Sequence, residues 1–418
     1  MLKNSFLIVL IQATGIIFAM LSVYFVAGDM GPEVYSLRGI QGIVAGIMLA
    51  FSQLGVETTM MREALYWMEQ GNHEKVKEYA TQSILSRLIG FVVLVPILAF
   101  YLGYLSFSKY DGGYLWLFGL YLIGSCISSL NNSMALIVRS QGGYVFSQLV
   151  TTLNSDIFSG LAILVYLKWG ADVYLVFFAL SSVPVLFIFL LRLKQIFSFK
   201  YFRIRPTLKK IKESKYLWMR TYLDYFKTNA DSLLVSLLFS PAIMGIYAVY
   251  KLLENMARSF VEGFFDVLAQ RVVKFKGQCE QLIKEERKFN IVRWAVIGLV
   301  VIAGVVFSIN PNFYIQLVNL TQYDYMELIV YTVLTGCVIW LIGKYEGMMI
   351  ALFATSKANF KLGIIIFWLT IISYFWLFFI HTIEGALLQR VTIWVLTTAI
   401  SIVLFRKNRM QYYTHIYK

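Results

Sequence analysis

Arg220, Asp224, Lys227 and Asp231 recur at intervals of four, three and four residues within 216–240, an apolar run of helix length. At 3.6 residues per turn the four fall within roughly 60° of one helix face. The other faces carry Leu217, Trp218, Leu223, Phe226, Leu233, Leu234 and Leu237. A charge at the centre of a bilayer costs about 3 kcal/mol or more unless it meets protein, a partner or water. The charged face therefore turns inward, to line a hydrophilic cavity or to neutralise itself through the neighbouring pairs Arg220–Asp224, Asp224–Lys227 and Lys227–Asp231. A second set, Lys251, Glu254, Arg258 and Glu262, repeats the pattern on the next run.

These faces sit in a chain of 418 residues that is 59% hydrophobic and 14% charged. A soluble domain carries about 25% charged residues, and here the apolar residues come in blocks long enough to cross hydrocarbon as helices. The fold class read from this is an all-α membrane protein with about twelve spans: 5–27, 39–61, 84–106, 114–138, 145–167, 173–191, 216–240, 242–264, 291–310, 325–343, 362–380 and 383–405. The run after Lys3 is too long for a signal peptide and reads as an uncleaved first span. The eighth span is broken by charges. It is kept because 192–215 and 269–293 are both rich in Lys and Arg, so both belong to the cytoplasm. The chain must then cross twice between them.

Of 37 Lys and Arg, only Arg38, Lys109, Lys168 and Arg390 fall at external ends in this topology, with Lys227 inside a span. Both termini are expected in the cytoplasm. The net charge of +14 thus reflects orientation in a membrane and not nucleic-acid binding. The spans divide into a first six-helix half (1–194), a basic linker (195–215), a second half (216–405) and a basic tail (406–418). This arrangement fits transporters built from parallel repeats around a V-shaped central cavity. External loops are short, the longest spanning about 310–324, with no room for a folded external domain. Cys126, Cys279 and Cys337 lie far apart, with neither disulfide nor metal spacing. No Gly-rich phosphate loop is present, and His73, His381 and His415 are scattered. Nothing supports an enzyme, a cofactor or a metal.

Several motifs resemble those of bacterial polysaccharide exporters. Asp231, Pro241, Gly245-Ile246-Tyr247-Ala248 and Lys251-Leu252 look like their seventh and eighth spans. Met30-Gly31-Pro32-Glu33-Val34-Tyr35 resembles the L-G-P-E-x-Y-G turn that closes their first span. Leu54-Gly55-Val56-Glu57-Thr58 with Arg62 resembles the end of span two, and Arg139-Ser140-Gln141-Gly142 with Tyr144 the segment after span four. The chain departs at Gly28-Asp29, where many relatives carry a basic residue, and at Ser36, where the turn ends in Gly. The resemblance is to O-antigen-type flippases of the multidrug/oligosaccharidyl-lipid/polysaccharide superfamily.

That resemblance implies an undecaprenyl-pyrophosphate-linked oligosaccharide turned from the inner to the outer leaflet of the bacterial cytoplasmic membrane, as in lipopolysaccharide assembly. Membrane lipids are partners by location, and polysaccharide polymerase and chain-length proteins by pathway. The pyrophosphate needs cations, for which Arg offers a planar fork. The candidates are Arg62, Arg139, Arg220, Lys227 and Arg258. Ser125, Ser128, Ser129, Asn131, Asn132 and Ser133 in span four would line the sugar path, continued by Gln148, Asn154 and Asp156 in span five. The acids Glu57, Asp156, Asp224, Asp231 and Glu254 are candidates for the cavity wall or for coupling to an ion gradient. Each of these residues also has a plain structural reading, as a helix-end anchor, a packing group or an ion-pair partner.

Two other readings compete. A cation-coupled multidrug exporter of the same superfamily would share the twelve spans, but its cavity should hold more acids than Arg and Lys. In the sequence the two are nearly balanced. A polytopic oligosaccharide polymerase or ligase would need a large external loop, which this chain lacks.

Overall fold

The computed structural model describes residues 14, 17, 18, 20–57, 66–68, 70–140, 146, 147, 150, 158–274, 279–353 and 356–414. Among them there is no strand, and nearly all lie in helices. Seven helices are long and apolar enough to cross a membrane, and an eighth span is the pair Met326–Ile342 and Lys344–Ile350, bent by 52°. Two of the seven are double. Met20–Ser52 breaks at Gly31, whose φ of 75° is a conformation that glycine adopts without a side-chain clash. Pro32 then restarts the helix at its first turn, where it has no hydrogen bond to lose. Gly160–Leu191 breaks in the same way at Gly170 (φ 81°). Lys215–Leu238 and Pro241–Lys274 complete twelve spans. Their charges keep them out of a hydropathy count but share one face, so the helices persist. The architecture is all-α, with the helices in two halves.

Several helices outrun their apolar stretches. The third span runs from His73 to Lys109 instead of 84–106, the eighth continues to Lys274, the ninth begins at Cys279 and the twelfth ends at Thr414. Hydropathy measures the hydrocarbon a helix crosses, whereas backbone hydrogen bonding continues into water wherever caps and propensity allow. Asn72 supplies one such cap, its Oδ1 accepting from the Lys75 amide at 3.2 Å.

Span two (from Pro32 to Ser52) is the central post, touching spans three, four, seven and eight. Its approach to span eight is backbone to backbone. A Cβ on Gly245 would stand 1.7 Å from the Pro32 carbonyl oxygen, so only glycine fits there. The segment predicted as an external loop folds back over the same end. Helix Pro311–Leu317 starts at Asn310, whose Oδ1 accepts from the Phe313 amide. Beyond it, three side chains of the second half donate to the first span. Asn319 Nδ2 bonds the Tyr24 carbonyl (3.3 Å), Gln322 Nε2 those of Ala27 and Gly28, and the Tyr323 hydroxyl that of Ala27 (2.8 Å). A π-helical turn at Val23–Ala27 leaves carbonyls there available to accept. This latch ties the second half to the first at one end of the bundle.

Candidate functional site

Between the halves lies a cavity of about 510 Å³. Its walls follow helical periodicity. Span two contributes Arg38, Gln41 and Ala45, and span eight contributes Met244, Tyr247, Lys251 and Asn255. Ser125 and Ser128 of span four, Phe178, Ala179, Ser181 and Ser182 in the middle of span six, and Asn229 and Ser232 of span seven close the ring. Gln41 Nε2 donates to the Phe178 carbonyl (3.1 Å), and Asn131 Nδ2 to that of Ser182 (2.8 Å), which fix the broken sixth span against spans two and four. Among the described residues the cavity lining holds two cations, Arg38 and Lys251, and no Asp or Glu.

Arg38 is half-buried, hydrogen-bonded to the Tyr35 hydroxyl and lying 4.8 Å from the centre of the Phe178 ring. No carboxylate lies within ion-pair distance of it among the described residues. Aromatic faces hold the guanidinium in place without cancelling its charge. Lys251 is different: its Nζ lies 3.2 Å from Glu254 and 3.6 Å from Asp231, and donates to the Thr228 carbonyl at 2.9 Å.

Lys251 is the edge of a buried cluster behind the cavity wall. Arg390 pairs with Asp231 at 3.3 Å and with Glu254 by a shorter contact, and also donates to the Lys227 and Thr228 carbonyls. Arg258 lies 3.5 Å from Glu254, and the Tyr247 hydroxyl donates to Asp231 at 2.5 Å. Three cations thus face two acids. Asp231, Glu254 and Arg390 are each at most 3% exposed. A second buried cluster, in the first half, joins Arg87 to Glu57 through two parallel hydrogen bonds of 2.6 and 2.5 Å. The remaining donors of Arg87 reach Ser52, Ser129 and the Leu49 carbonyl, while Ser133 donates to Glu57.

The structure redistributes the residues singled out from the sequence. Arg220 and Asp224 pair at 3.7 Å, largely exposed and apart from the cavity lining. The expected Lys227–Asp231 pair is absent: Asp231 turns away from its own helix toward span eight and span twelve (Ile383–Thr414), where three donors converge on it. Cross-helix partners win because Asp231 is buried there while Lys227 is only half-buried. Arg258 and Glu254 pair as helix neighbours, and Glu254 faces Arg390, not the cavity. Glu57, read as a wall or coupling acid, is instead clamped to Arg87. Ser125 and Ser128 line the cavity, whereas Ser129 and Ser133 serve the Arg87–Glu57 pair. Arg62, Gln148, Asn154 and Asp156 lie outside the described residues, as do the side chains of Arg139 and Glu262.

Three arginines escaped the sequence reading. Arg38 and Arg390 were placed at external ends, and Arg87 was counted with the orienting charges. Arg390 lies seven residues inside its helix, about 10 Å along the axis. That depth was the available signal, because an arginine two turns into an apolar helix needs a partner.

No protein-family model matches the sequence, and no curated protein matches it. Solved structures do. An inward-facing multidrug resistance MATE family transporter of the MOP superfamily superposes with a TM-score of 0.68 at 16% identity, over 97% of this chain and 96% of that one. An outward-facing structure of such a transporter gives 0.62 at 16%, over 99% and 97%. An Asp-to-Asn variant of the Vibrio cholerae MATE transporter VcmN gives 0.61 at 14%, over 98% of both chains. At such identities the likeness concerns the fold: this chain has the twelve-span, two-half architecture of the MATE transporters.

Proposed function

We propose that this chain is a transporter that carries an anionic lipid-linked oligosaccharide across the cytoplasmic membrane by alternating access. An undecaprenyl-pyrophosphate-linked unit of an O-antigen or similar surface polysaccharide is the cargo. The observation that carries this reading is the charge of the cavity wall. Among the described lining residues it presents Arg38 without an acid partner, a second cation in Lys251, and no carboxylate. A pyrophosphate gains charge-assisted hydrogen bonds from such a wall. A cation about 4 Å from Arg38 would instead be repelled by about 4 kcal/mol at an effective dielectric constant near 20. The serines and asparagines around the ring suit sugar hydroxyls. In this reading Arg38 and Lys251 take the place of Arg220 and Lys227 on the cavity wall, with Arg258 supporting them from behind it. The two termini and the linker lie on the cytoplasmic side in this reading, and the latched end faces outward.

The names of the structural neighbours favour a second reading, multidrug export, which shares the fold; if coupled to cations it would call for an acidic cavity wall. The deciding experiment uses proteoliposomes of the purified chain. With a fluorescent undecaprenyl-pyrophosphate saccharide as cargo, a membrane-impermeant quencher should reach more of the probe when the protein is present. Uptake of ethidium without movement of the lipid would overturn the proposal in favour of drug export.

A further inference from the structure

The segment that joins the halves carries a surface that the transport pathway does not use. After a short turn at Phe199–Tyr201 it forms a ten-residue helix, Ile204–Glu213, between the sixth and seventh spans. At 3.6 residues per turn its residues fall on three stripes of roughly 60° each. Thr207 and Lys210 occupy the first and pack against the third span. There Lys210 lies 3.3 Å from the centre of the Tyr79 ring and 3.7 Å from Glu78. Ile204, Leu208 and Ile211 occupy the second, and it is open: Ile204 is 59% exposed and Leu208 50%. Phe199 and Phe202 just before the helix are also exposed. Arg205, Lys209 and Lys212 occupy the third stripe, all exposed, with Arg203 and Lys215 at either end. The one acid of the helix, Glu213, lies beyond the basic stripe.

The position of the helix is fixed by its contacts. Ser198 donates its amide to Thr81 Oγ1 (3.1 Å) and Tyr201 its hydroxyl to Glu74 Oε2 (2.5 Å). Glu74 and Thr81 belong to the start of the helix His73–Lys109, which at 37 residues is about 56 Å long, against a hydrocarbon core of about 30 Å. Its first turns therefore rise out of the hydrocarbon, and the linker helix rests against them at the depth of the headgroups. An apolar stripe flanked by an all-basic stripe at that depth matches the surface of an anionic leaflet.

We infer that 199–215 is an interfacial anchor that inserts Phe199, Ile204 and Leu208 between acidic phospholipids while Arg205, Lys209 and Lys212 bind their phosphates. Because the segment is bonded to the first turns of the helix His73–Lys109, it would fix that end of the first half to the leaflet. The test reads lipid contact and not cargo movement, so it stands apart from the function proposed above. The full chain, with its three native cysteines replaced by alanine, carries a spin label at Leu208→Cys or Glu213→Cys. It is reconstituted into phosphatidylcholine vesicles with or without phosphatidylglycerol. With phosphatidylglycerol, the label at 208 should relax with oxygen more than with a water-soluble nickel chelate, and the label at 213 the reverse. Combined Arg205→Glu, Lys209→Glu and Lys212→Glu should abolish the effect of phosphatidylglycerol at 208 without lowering membrane abundance. A label at 208 as open to nickel as that at 213 would assign the face to water or a soluble partner and overturn the inference. Insertion unchanged by phosphatidylglycerol and by charge reversal would overturn its anionic part.

Discussion

The two buried charge clusters solve one physical problem in opposite ways. In the first half, Arg87 and Glu57 cancel each other, and serines and a carbonyl take up their remaining hydrogen bonds. Each side chain is 1% exposed, and neither lines the cavity. In the second half, Arg390, Lys251 and Arg258 outnumber Asp231 and Glu254, and Lys251 reaches the cavity wall. A closed, neutral pair can only hold helices together. A cluster with a spare cation and one open edge holds helices together and also sets the electrostatic potential of the space beside it. Burial of charge is therefore a poor guide to function by itself; the balance of the cluster and its access to the cavity distinguish the two.

The comparison breaks most sharply under removal of one arginine from each cluster. Arg87→Met leaves Glu57 buried and uncompensated, which should cost about 3–5 kcal/mol and strip the protein from the membrane. Adding Glu57→Leu should restore most of the abundance, because an apolar pair often replaces a buried ion pair at little cost. Arg390→Met, at an equally buried position, leaves two acids facing two cations. It should lose about 1.5–3 kcal/mol, the worth of its charged hydrogen bonds. Thermal unfolding of detergent-solubilised fusions would rank the two; equal losses would mean that balance of charge is not what separates the clusters.

Arg38 lies outside both clusters and tests the functional side of the contrast. Arg38→Ala should leave thermal stability within about 0.5 kcal/mol of the parent and reduce movement of the lipid-linked probe by about tenfold to a hundredfold. Arg38→Lys should recover only part of it, having lost the planar fork and its seat against Phe178. A variant that unfolds, or that moves cargo normally, would remove Arg38 from the binding wall.

The smallest effect is expected at the pair that helical spacing pointed to most directly. Lys227 and Asp231 make no ion pair with each other, so a double-mutant cycle on Lys227→Ala and Asp231→Asn should show coupling below about 0.5 kcal/mol. The same cycle on Arg390→Met and Asp231→Asn should show several times more. Strong coupling at 227 and 231 would restore the ladder along span seven and dissolve the distinction between wall and scaffold.

Much of the scaffold was legible before any coordinates. The Gly31-Pro32 turn falls where the Met30–Tyr35 motif put it, and the charged eighth span is helical, as the argument from flanking basic segments required. Ser125 and Ser128 could be picked out because serines cluster in an apolar run. Arg38 could not. Near a helix start its charge looks like a topological signal, and only the packing of spans four, six, seven and eight around it encloses it in a cavity. Arg390 was hidden by the same ambiguity.

By itself, then, the sequence determined the number of apolar spans, the residues on each charged face and the Gly31-Pro32 turn between the first two spans. Those properties depend on neighbours within a turn or two, where backbone geometry leaves little freedom. Which charges meet was decided only by the tertiary structure. Asp231 has a lysine four residues back on its own helix and two cations brought from distant segments, and along the chain nothing ranks them. The ranking comes from burial. In a low-dielectric interior an acid pairs with whichever cations are desolvated beside it, and packing of spans seven, eight and twelve puts Lys251 and Arg390 there.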